Sequence, residues 1–402
     1  MPVYAYEALD ETGSPVDGKI EVDNEMSAAS RLRKLGYTVL EISEIKESSF
    51  KRAFASNRKI KPADIIFFSR QLAAMIAAGI PLTRCLYTMY EQTENPSLKQ
   101  IVREVALSVE GGTSLSESLR AHPHVFSSMY VDMVKAGEIS GSLEEMLKRI
   151  SEQLERSKSL GDSIRSATLY PAVIVLFASV VISATMFFIV PIFMGFFPAG
   201  MPLPLPTKIV VGISNSMRNA WYLYILFLSG LFLYLRFYSA SNAGQRAWDR
   251  IRFRLPVFGP LFRKAAVASF ARTLSTLLSG GIPVLQALEA AGPATGSIQV
   301  AEAVKQAGEG IQEGHTIAPL LEKSGFFPPM LTNMVAVGEE TGELSGLLDQ
   351  VAQFYEAEVA TLTKGLTTMI EPLLIIFVGL MIGGIVISVY LPIFSVVTSI
   401  GG

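Results

Sequence analysis

The sequence predicts a mainly α-helical, polytopic membrane protein that contains a duplicated unit. The first observation is three apolar runs, at 169–192, 219–237 and 371–397, each with at most one charged residue. About 20 apolar residues cross a bilayer as a helix, so each run has a suitable length. The second is a mean hydropathy of +0.39 with 17% charged residues. The third is that segments of the first half recur about 200 positions later.

The duplication is the strongest of these signals because order and spacing both hold. The first recurring segments are offset by 202 residues and the later ones by 201, so one residue was lost between them. The matching segments are 68–72 and 270–274, 78–82 and 280–284, 137–141 and 338–342, and 170–171 and 371–372. A bundle followed by a membrane helix therefore occurs twice.

Residues 1–45 predict a small β-β-α-β module, with alternating apolar residues in strands near 3–8, 16–22 and 37–42. A helix over 27–35 is expected to end at Gly36. A unit of this size barely buries a hydrophobic core, so we interpret it as a module appended to the rest of the chain. Residues 46–61, rich in Ser, Lys and Arg, predict a linker.

Helical periodicity predicts two six-helix bundles, at 62–168 and 238–370. Capping-box spacing predicts helix starts at Ser114 and Ser142, each followed three residues later by Glu. Eight glycine and proline residues are predicted to form turns between helices. They are Gly79, Pro81, Gly137 and Gly141 in the first copy and Gly281, Pro283, Gly338 and Gly342 in the second.

Charge orients the predicted membrane helices. Basic residues precede the first apolar run and follow the second, whereas the tail 398–402 has none. The positive-inside rule then predicts cytoplasmic bundles and N-terminus, and a short loop at 193–218 and a C-terminus on the outer side. Pro171 and Pro372 each remove a helix hydrogen bond and are expected to kink the entry into the membrane.

No catalytic constellation is present, which argues against an enzyme. The sequence contains no P-loop, no His-Glu-x-x-His and one cysteine, Cys85, interpreted as a core residue. His122 and His124 flank a proline in a turn. No cofactor is expected, and the net charge of −2 argues against nucleic acid as a partner.

Glu138 and Glu339 stand out because both copies of the Gly-Glu-x-Ser/Thr-Gly loop keep the acid. One interpretation is helix punctuation, with Gly as C-cap and acids at the next helix N-terminus. The other is a surface acid for a partner or a weakly bound divalent ion. The sequence leaves both interpretations open.

Charged residues near the membrane have two interpretations each. The basic stretch after the second apolar run is either a topology determinant or a docking surface for an acidic partner or anionic lipid, and it comprises Arg250, Arg252, Arg254, Arg263 and Lys264. Glu371, which replaces Tyr170 of the first copy, lies at the mouth of a membrane helix. It is either solvated at the interface or contacts a partner.

These residues resemble the inner-membrane platform proteins of type IV pilus assembly and type II secretion. The N-terminal Tyr-x-Tyr-x-Ala-x-Asp-x-x-Gly pattern, both Gly-Ile-Pro turns and both Gly-Glu loops carry the resemblance, with Tyr170-Pro171 and Glu371-Pro372. Residues 354–359 with 390–394 resemble the pilus branch more than the secretion branch.

The resemblance implies a non-enzymatic protein of the bacterial inner membrane. It would couple a cytoplasmic hexameric ATPase to pilin or pseudopilin subunits, together with other inner-membrane components, as a homo-oligomer. We expect Glu371 to pair with the N-terminal amine of a mature pilin, near Pro372, Tyr170, Pro171, Tyr390 and Pro392. Glu138 and Glu339, with the five basic residues of 250–264, are expected to face the ATPase.

Two other functions compete with this one. A secretion platform that moves pseudopilins is the alternative within the family. A small-solute channel or transporter is the remote alternative, which three crossings and one acid at membrane level argue against.

Overall fold

A computed structural model of the chain describes residues 3–9, 15–21, 29, 36–44, 59–195, 203–256 and 258–400. Two compact units can be distinguished. The first comprises 1–65 and 81–112, and the second comprises 66–80 and 113–402.

A three-stranded antiparallel sheet opens the first unit. Strands β1 (Val3–Leu9), β2 (Pro15–Glu21) and β3 (Thr38–Glu44) are arranged in the order β2-β1-β3. The three predicted strands are present. Gly36 has the positive φ of 85° expected of a helix C-cap. Apart from Ala29, which is helical, the helix predicted before it lies outside the described residues.

The first copy of the duplicated unit is helical throughout. Its helices are α1 (Pro62–Ala77), α2 (Leu82–Gln92), α3 (Pro96–Glu110), α4 (Leu115–Arg120), α5 (Ser128–Ser140), α6 (Leu143–Ala184) and α7 (Val190–Met194). A π-helical turn, Thr185–Ile189, joins α6 to α7. Helices α2 and α3 belong to the first unit and pack on each other there.

The rest of the chain forms nine further helices in the described part. They are α8 (Leu205–Asn219), α9 (Trp221–Ala240), α10 (Asn242–Arg254), α11 (Gly259–Ser279), α12 (Val284–Ala294), α13 (Ile298–Gln312), α14 (Ile317–Lys323), α15 (Pro329–Thr341) and α16 (Leu344–Ile400). Helices α11 to α16 correspond to α1 to α6, so the chain is mainly α with the same order of helices in both copies.

The turns after the first helix of each copy are as predicted. Gly79 and Gly281 have φ of 76° and 75°, a left-handed conformation in which glycine has no steric penalty. Pro81 and Pro283 stand directly before the next helix as its N-cap. Each short turn therefore ends one helix and starts the next at the same point in both copies.

Two of the predicted turn glycines are not in turns. Gly137 and Gly338 lie inside α5 and α15, and the C-caps are Gly141 and Gly342, with φ of 72° and 75°. A Cβ on Gly338 would stand 2.8 Å from the Cα of Leu344. Glycine is needed inside these helices because the next helix backbone approaches too closely for a side chain.

One of the two predicted serine N-caps is present and one is absent. The Ser114 side chain accepts a hydrogen bond from the Glu117 amide at 3.2 Å. The Ser142 side chain makes no cap, because its hydroxyl is 2.6 Å from that of Ser140. Helix α6 therefore begins without the predicted side-chain cap.

The segment predicted as a loop at 193–218 is largely helical. Residues 205–219 form α8, which packs on the ends of α7 and α16. Its inner face places Val210, Val211 and Met217 against a buried cluster around Met186 and Val190. Burial of this face explains the helix, which the Pro-rich sequence before it obscured.

Three helical stretches are long and apolar enough to cross a membrane. They lie within Leu143–Met194, Trp221–Ser239 and Leu344–Leu391. These are the three predicted spans, and together with the composition they identify the chain as a membrane protein. The middle span, in α9, has no buried residue, whereas 17% of each of the other two apolar windows is buried within the fold.

Candidate functional site

Two long helices carry the chain from the bundles into the apolar spans. Helix α6 has 42 residues and α16 has 57, which correspond to about 60 Å and about 85 Å at 1.5 Å per residue. The two helices pack against each other. Each is continuous between a charged segment and an apolar one.

A polar joint connects the two copies inside the second unit. Gln153 of α6 donates from Nε2 to Thr273 Oγ1 of α11 at 3.1 Å, and its Oε1 accepts from Thr276 at 3.4 Å. A cleft of about 340 Å³ adjoins this contact between α6, α11 and α16. The joint fixes the long helix of the first copy to the first helix of the second.

Arg272 lies at the centre of the joint, with a side chain that is 7% exposed. It donates to both carboxylate oxygens of Glu356, at 2.9 and 3.0 Å, and to Asp349. Burial opposes its charged form, but the hydrogen bonds and charges of Glu356 and Asp349 outweigh burial and raise the pKa of Arg272. The residue therefore stays charged and ties α11 to α16.

The first copy repeats this ion pair on its surface. Arg70 and Glu155 occupy the positions of Arg272 and Glu356, and Arg70 Nη2 lies 2.5 Å from Glu155 Oε1. Their side chains are 65% and 38% exposed. The two copies thus hold one ion pair in two environments, because α6 lies beside the pair of the second copy whereas the pair of the first copy is exposed.

Glu138 and Glu339 cap helices that precede them in the chain. Glu138 Oε1 accepts from the Leu115 amide at 2.5 Å, and Oε2 accepts from the Ser116 amide and hydroxyl. Glu339 accepts from Ile317 and Ala318 at 2.6 and 3.1 Å. The carboxylates satisfy amides that a helix N-terminus leaves free, and their charge suits the helix dipole.

This placement favours helix punctuation over the surface interpretation of these acids. The punctuation differs from the predicted form, because each acid reaches back about 22 residues rather than to the next helix. No group of three His, Cys, Asp or Glu side chains that could hold a metal ion occurs among the described residues, and the divalent contact stays a prediction.

The predicted ATPase-facing cations have unlike environments. Arg252 pairs with Asp249 at 2.9 Å, Lys264 pairs with Glu358, and Arg263 donates to the carbonyls of 325 and 326. Arg250 and Arg254 are exposed, without an ion pair to any described residue. Three of the five cations are therefore held by contacts within the chain, and the ATPase-facing surface stays a prediction.

The predicted pilin-contacting residues lie along the two long helices at membrane level. Glu371 is exposed, without an ion pair within the described chain, and Tyr170 is 42% exposed. Pro171 and Pro372 lie within continuous helices, and Pro392 lies within α16. At the far end Tyr390 packs its ring 6.0 Å from that of Phe193. The entry and exit residues are thus two groups on one helix pair.

Two polar residues of α8, Thr207 and Ser214, are contacts that the sequence did not reveal. Both are 1% exposed. Thr207 donates to the Ser388 carbonyl at 2.5 Å, and Ser214 donates to the Met186 carbonyl at 2.6 Å. They fasten α8 to α16 and to the π-helical turn that follows α6. Leu205, with apolar residues four and eight positions later, gave a helical spacing that could have predicted the helix.

Known proteins match this chain over its full length. Models described as type II secretion system (T2SS) protein F match residues 68–191 and 270–392, and its N-terminal domain matches residues 1–43. The chain is 41% identical to a type IV pilus assembly protein PilC of Thermus thermophilus, over 99% of this chain and 98% of that one.

Further relatives carry names from both systems. A type IV pilus assembly protein TapC of Aeromonas hydrophila is 37% identical over 99% of this chain and 96% of its own length. A type II secretion system protein F of Vibrio cholerae is 32% identical over 98% of both. The two segments matched by the family model coincide with the two copies predicted from the sequence, which confirms the duplication.

Proposed function

The chain belongs to the type II secretion system protein F family, and we propose that it is the inner-membrane platform protein of a type IV pilus. In this role it couples a cytoplasmic hexameric ATPase to the insertion or extraction of pilin subunits and performs no chemistry itself. The relatives named for pilus assembly, at 41% and 37% identity, support the pilus branch over the secretion branch, at 32%.

One observation carries the mechanism: the uninterrupted passage of α6 and α16 from the bundles into the apolar spans. A platform must pass a displacement from an ATPase outside the membrane to a client within it. Two helices of this length can do so as a unit because they pack against each other, which supports each helix at Pro171 or Pro372, where one backbone hydrogen bond is missing.

The orientation is part of the proposal. Both bundles and the N-terminus are cytoplasmic, and α8 with the C-terminus lies on the periplasmic side. The basic residues that follow α9, and the absence of charge after Glu371, support this orientation. Cysteine labelling with a membrane-impermeant maleimide, at single cysteines introduced at Lys305 and Lys208, tests it. Labelling of Lys305→Cys in intact spheroplasts would reverse the assignment.

Genetic complementation tests the platform function. A strain that lacks the gene should lose surface pili, while its pilin and ATPase persist, and the full chain should restore them. Pilin in the sheared surface fraction measures the outcome. Normal piliation without the protein would overturn the proposal. Lost exoprotein secretion with intact pili would instead assign the chain to type II secretion and pseudopilins.

At the residue level, Glu371 is proposed to bind the N-terminal amine of a mature pilin. Its exposed carboxylate lies where α16 enters the apolar span, and no described residue neutralises it. A carboxylate at this depth is stabilised by a cation. Glu371→Ala should therefore abolish piliation and Glu371→Asp should retain part of it, at equal protein levels. Full piliation in Glu371→Ala would refute the contact and leave the platform function standing.

A further inference from the structure

Helix α10 has one face that is docked onto the second bundle by charge. Asp249, 4% exposed, accepts from Ser297 Oγ at 2.9 Å and from the Ile298 amide at 2.7 Å, and so caps α13. Arg252 pairs with Asp249, and Arg246 lies 2.6 Å from Glu302. These contacts fix the rotation of α10 about its axis.

The opposite face of α10 is apolar and exposed. Trp248, Ile251 and Leu255, just past the last turn, are 62%, 54% and 41% exposed. At about 100° per residue they fall within an arc of about 60°. Arg254 and Arg250 lie on one side of this stripe, about 60° and about 100° beyond Ile251, and both are exposed without an ion pair among the described residues. The face combines an aromatic and aliphatic stripe with a rim of two free cations along one edge.

The position of α10 in the chain places this face beside the bilayer. The apolar span Trp221–Ser239 fills α9, and its residues are exposed throughout. Only Ser241 separates α9 from α10, and its hydroxyl caps α10 by accepting from the Gly244 amide at 3.1 Å. The chain therefore leaves the membrane at α9 and forms α10 at once, within reach of the lipid headgroups.

We propose that α10 is an in-plane helix that binds the anionic phospholipid surface of the bilayer. Trp248, Ile251 and Leu255 enter the boundary between headgroups and acyl chains, and Arg250 and Arg254 contact lipid phosphates. An apolar stripe beside arginines is the pattern of interfacial helices, and tryptophan favours this depth. The docked face then fixes the second bundle to the membrane surface through α13.

Anionic lipid is favoured over a protein partner because of continuity with α9. A protein that covered this face would have to displace the headgroups that already surround the end of the span. The two arginines of the rim are also positively charged, and anionic lipid attracts positive charge. The inference does not depend on pilus function, since it concerns how the chain lies on its bilayer.

Trp248 supplies a direct test, because the chain has only two tryptophans. In full-length Trp221→Phe protein, reconstituted in nanodiscs, Trp248 is the sole emitter. We expect blue-shifted emission and stronger quenching by brominated phosphatidylglycerol than by brominated phosphatidylcholine at equal mole fraction. Red-shifted emission quenched by acrylamide, and not by either brominated lipid, would overturn the proposal.

Paired variants separate charge from insertion. Arg250→Gln with Arg254→Gln should lower the preference for phosphatidylglycerol several-fold and leave the emission blue-shifted. The control is Arg84→Gln with Arg103→Gln, which removes the same charge from exposed positions of the first unit and should change neither reading. Equal effects of both pairs would overturn the headgroup contact. A blue shift seen only after addition of the cytoplasmic ATPase would assign the face to that protein and overturn the proposal.

Discussion

Replacing Arg272 by methionine should destabilise the protein far more than the same change at Arg70. Methionine keeps the apolar stem and removes the guanidinium. At Arg272 the change leaves Glu356 and Asp349 without their shared cation, beside a side chain that is 7% exposed. At Arg70 it removes an ion pair that water already surrounds, with side chains 65% and 38% exposed.

The expected magnitudes differ because the environments differ. Removal of one partner from a buried ion pair costs about 3–5 kcal/mol. The carboxylates of Asp349 and Glu356 are 41% and 25% exposed, so water recovers part of this energy and we expect roughly 2–3 kcal/mol. The exposed pair at Arg70 contributes about 1 kcal/mol at most.

Thermal unfolding of the full chain in detergent measures the difference. At about 2–4 °C per kcal/mol, Arg272→Met should lower the Tm by about 5–10 °C and Arg70→Met by about 4 °C at most. A double variant should show additive shifts, since the two sites share no partner. Equal Tm shifts of the two single variants would refute the reasoning that burial in the joint sets the energy of this pair.

Three further outcomes follow from the described contacts. Gly338→Ala should lower the free energy of unfolding by about 1–3 kcal/mol, because the new Cβ would stand 2.8 Å from the Leu344 Cα. Gly346→Ala is the control and should be neutral or stabilising, since the space around its Cβ is open. Denaturant unfolding of both variants measures the difference. Glu339→Gln, which weakens the α14 cap, should speed hydrogen exchange of that helix by about fivefold, and unchanged exchange would contradict the cap. Burial raises the pKa of Cys85, so iodoacetamide at pH 8 should label it only in denaturant, and fast labelling of native protein would contradict its burial.

The sequence predicted the duplication, the helical class and the three spans, because these depend on local composition and on order along the chain. Gly79 and Gly281 were predictable for the same reason, since a left-handed turn between two helices requires a local signal. The orientation of the chain and the contacts of Glu371 stay predictions.

The contacts of Glu138 were not predictable, because the amides that its carboxylate caps lie 22 and 23 residues earlier. The contact of Asp249 was even less predictable, since it caps a helix that begins 49 residues later in the chain. Helix α8 was missed for a different reason. Val210, Val211 and Met217 lie on one face of this helix, but the sequence does not reveal the buried residues of the neighbouring helices against which they pack.

The π-helical turn at Thr185–Ile189 has a consequence for comparing the two copies. On both sides of this turn the copies align with the same offset of 201, so no inserted residue accompanies it. Helix α16 is α-helical at the corresponding positions. A π turn takes up about one residue more than an α turn, or about 100° of rotation. Past this turn, Pro191 and Pro392 correspond in the repeat but are out of phase about their helix axes. Residues that correspond in sequence therefore no longer face the same direction at this end of the two spans.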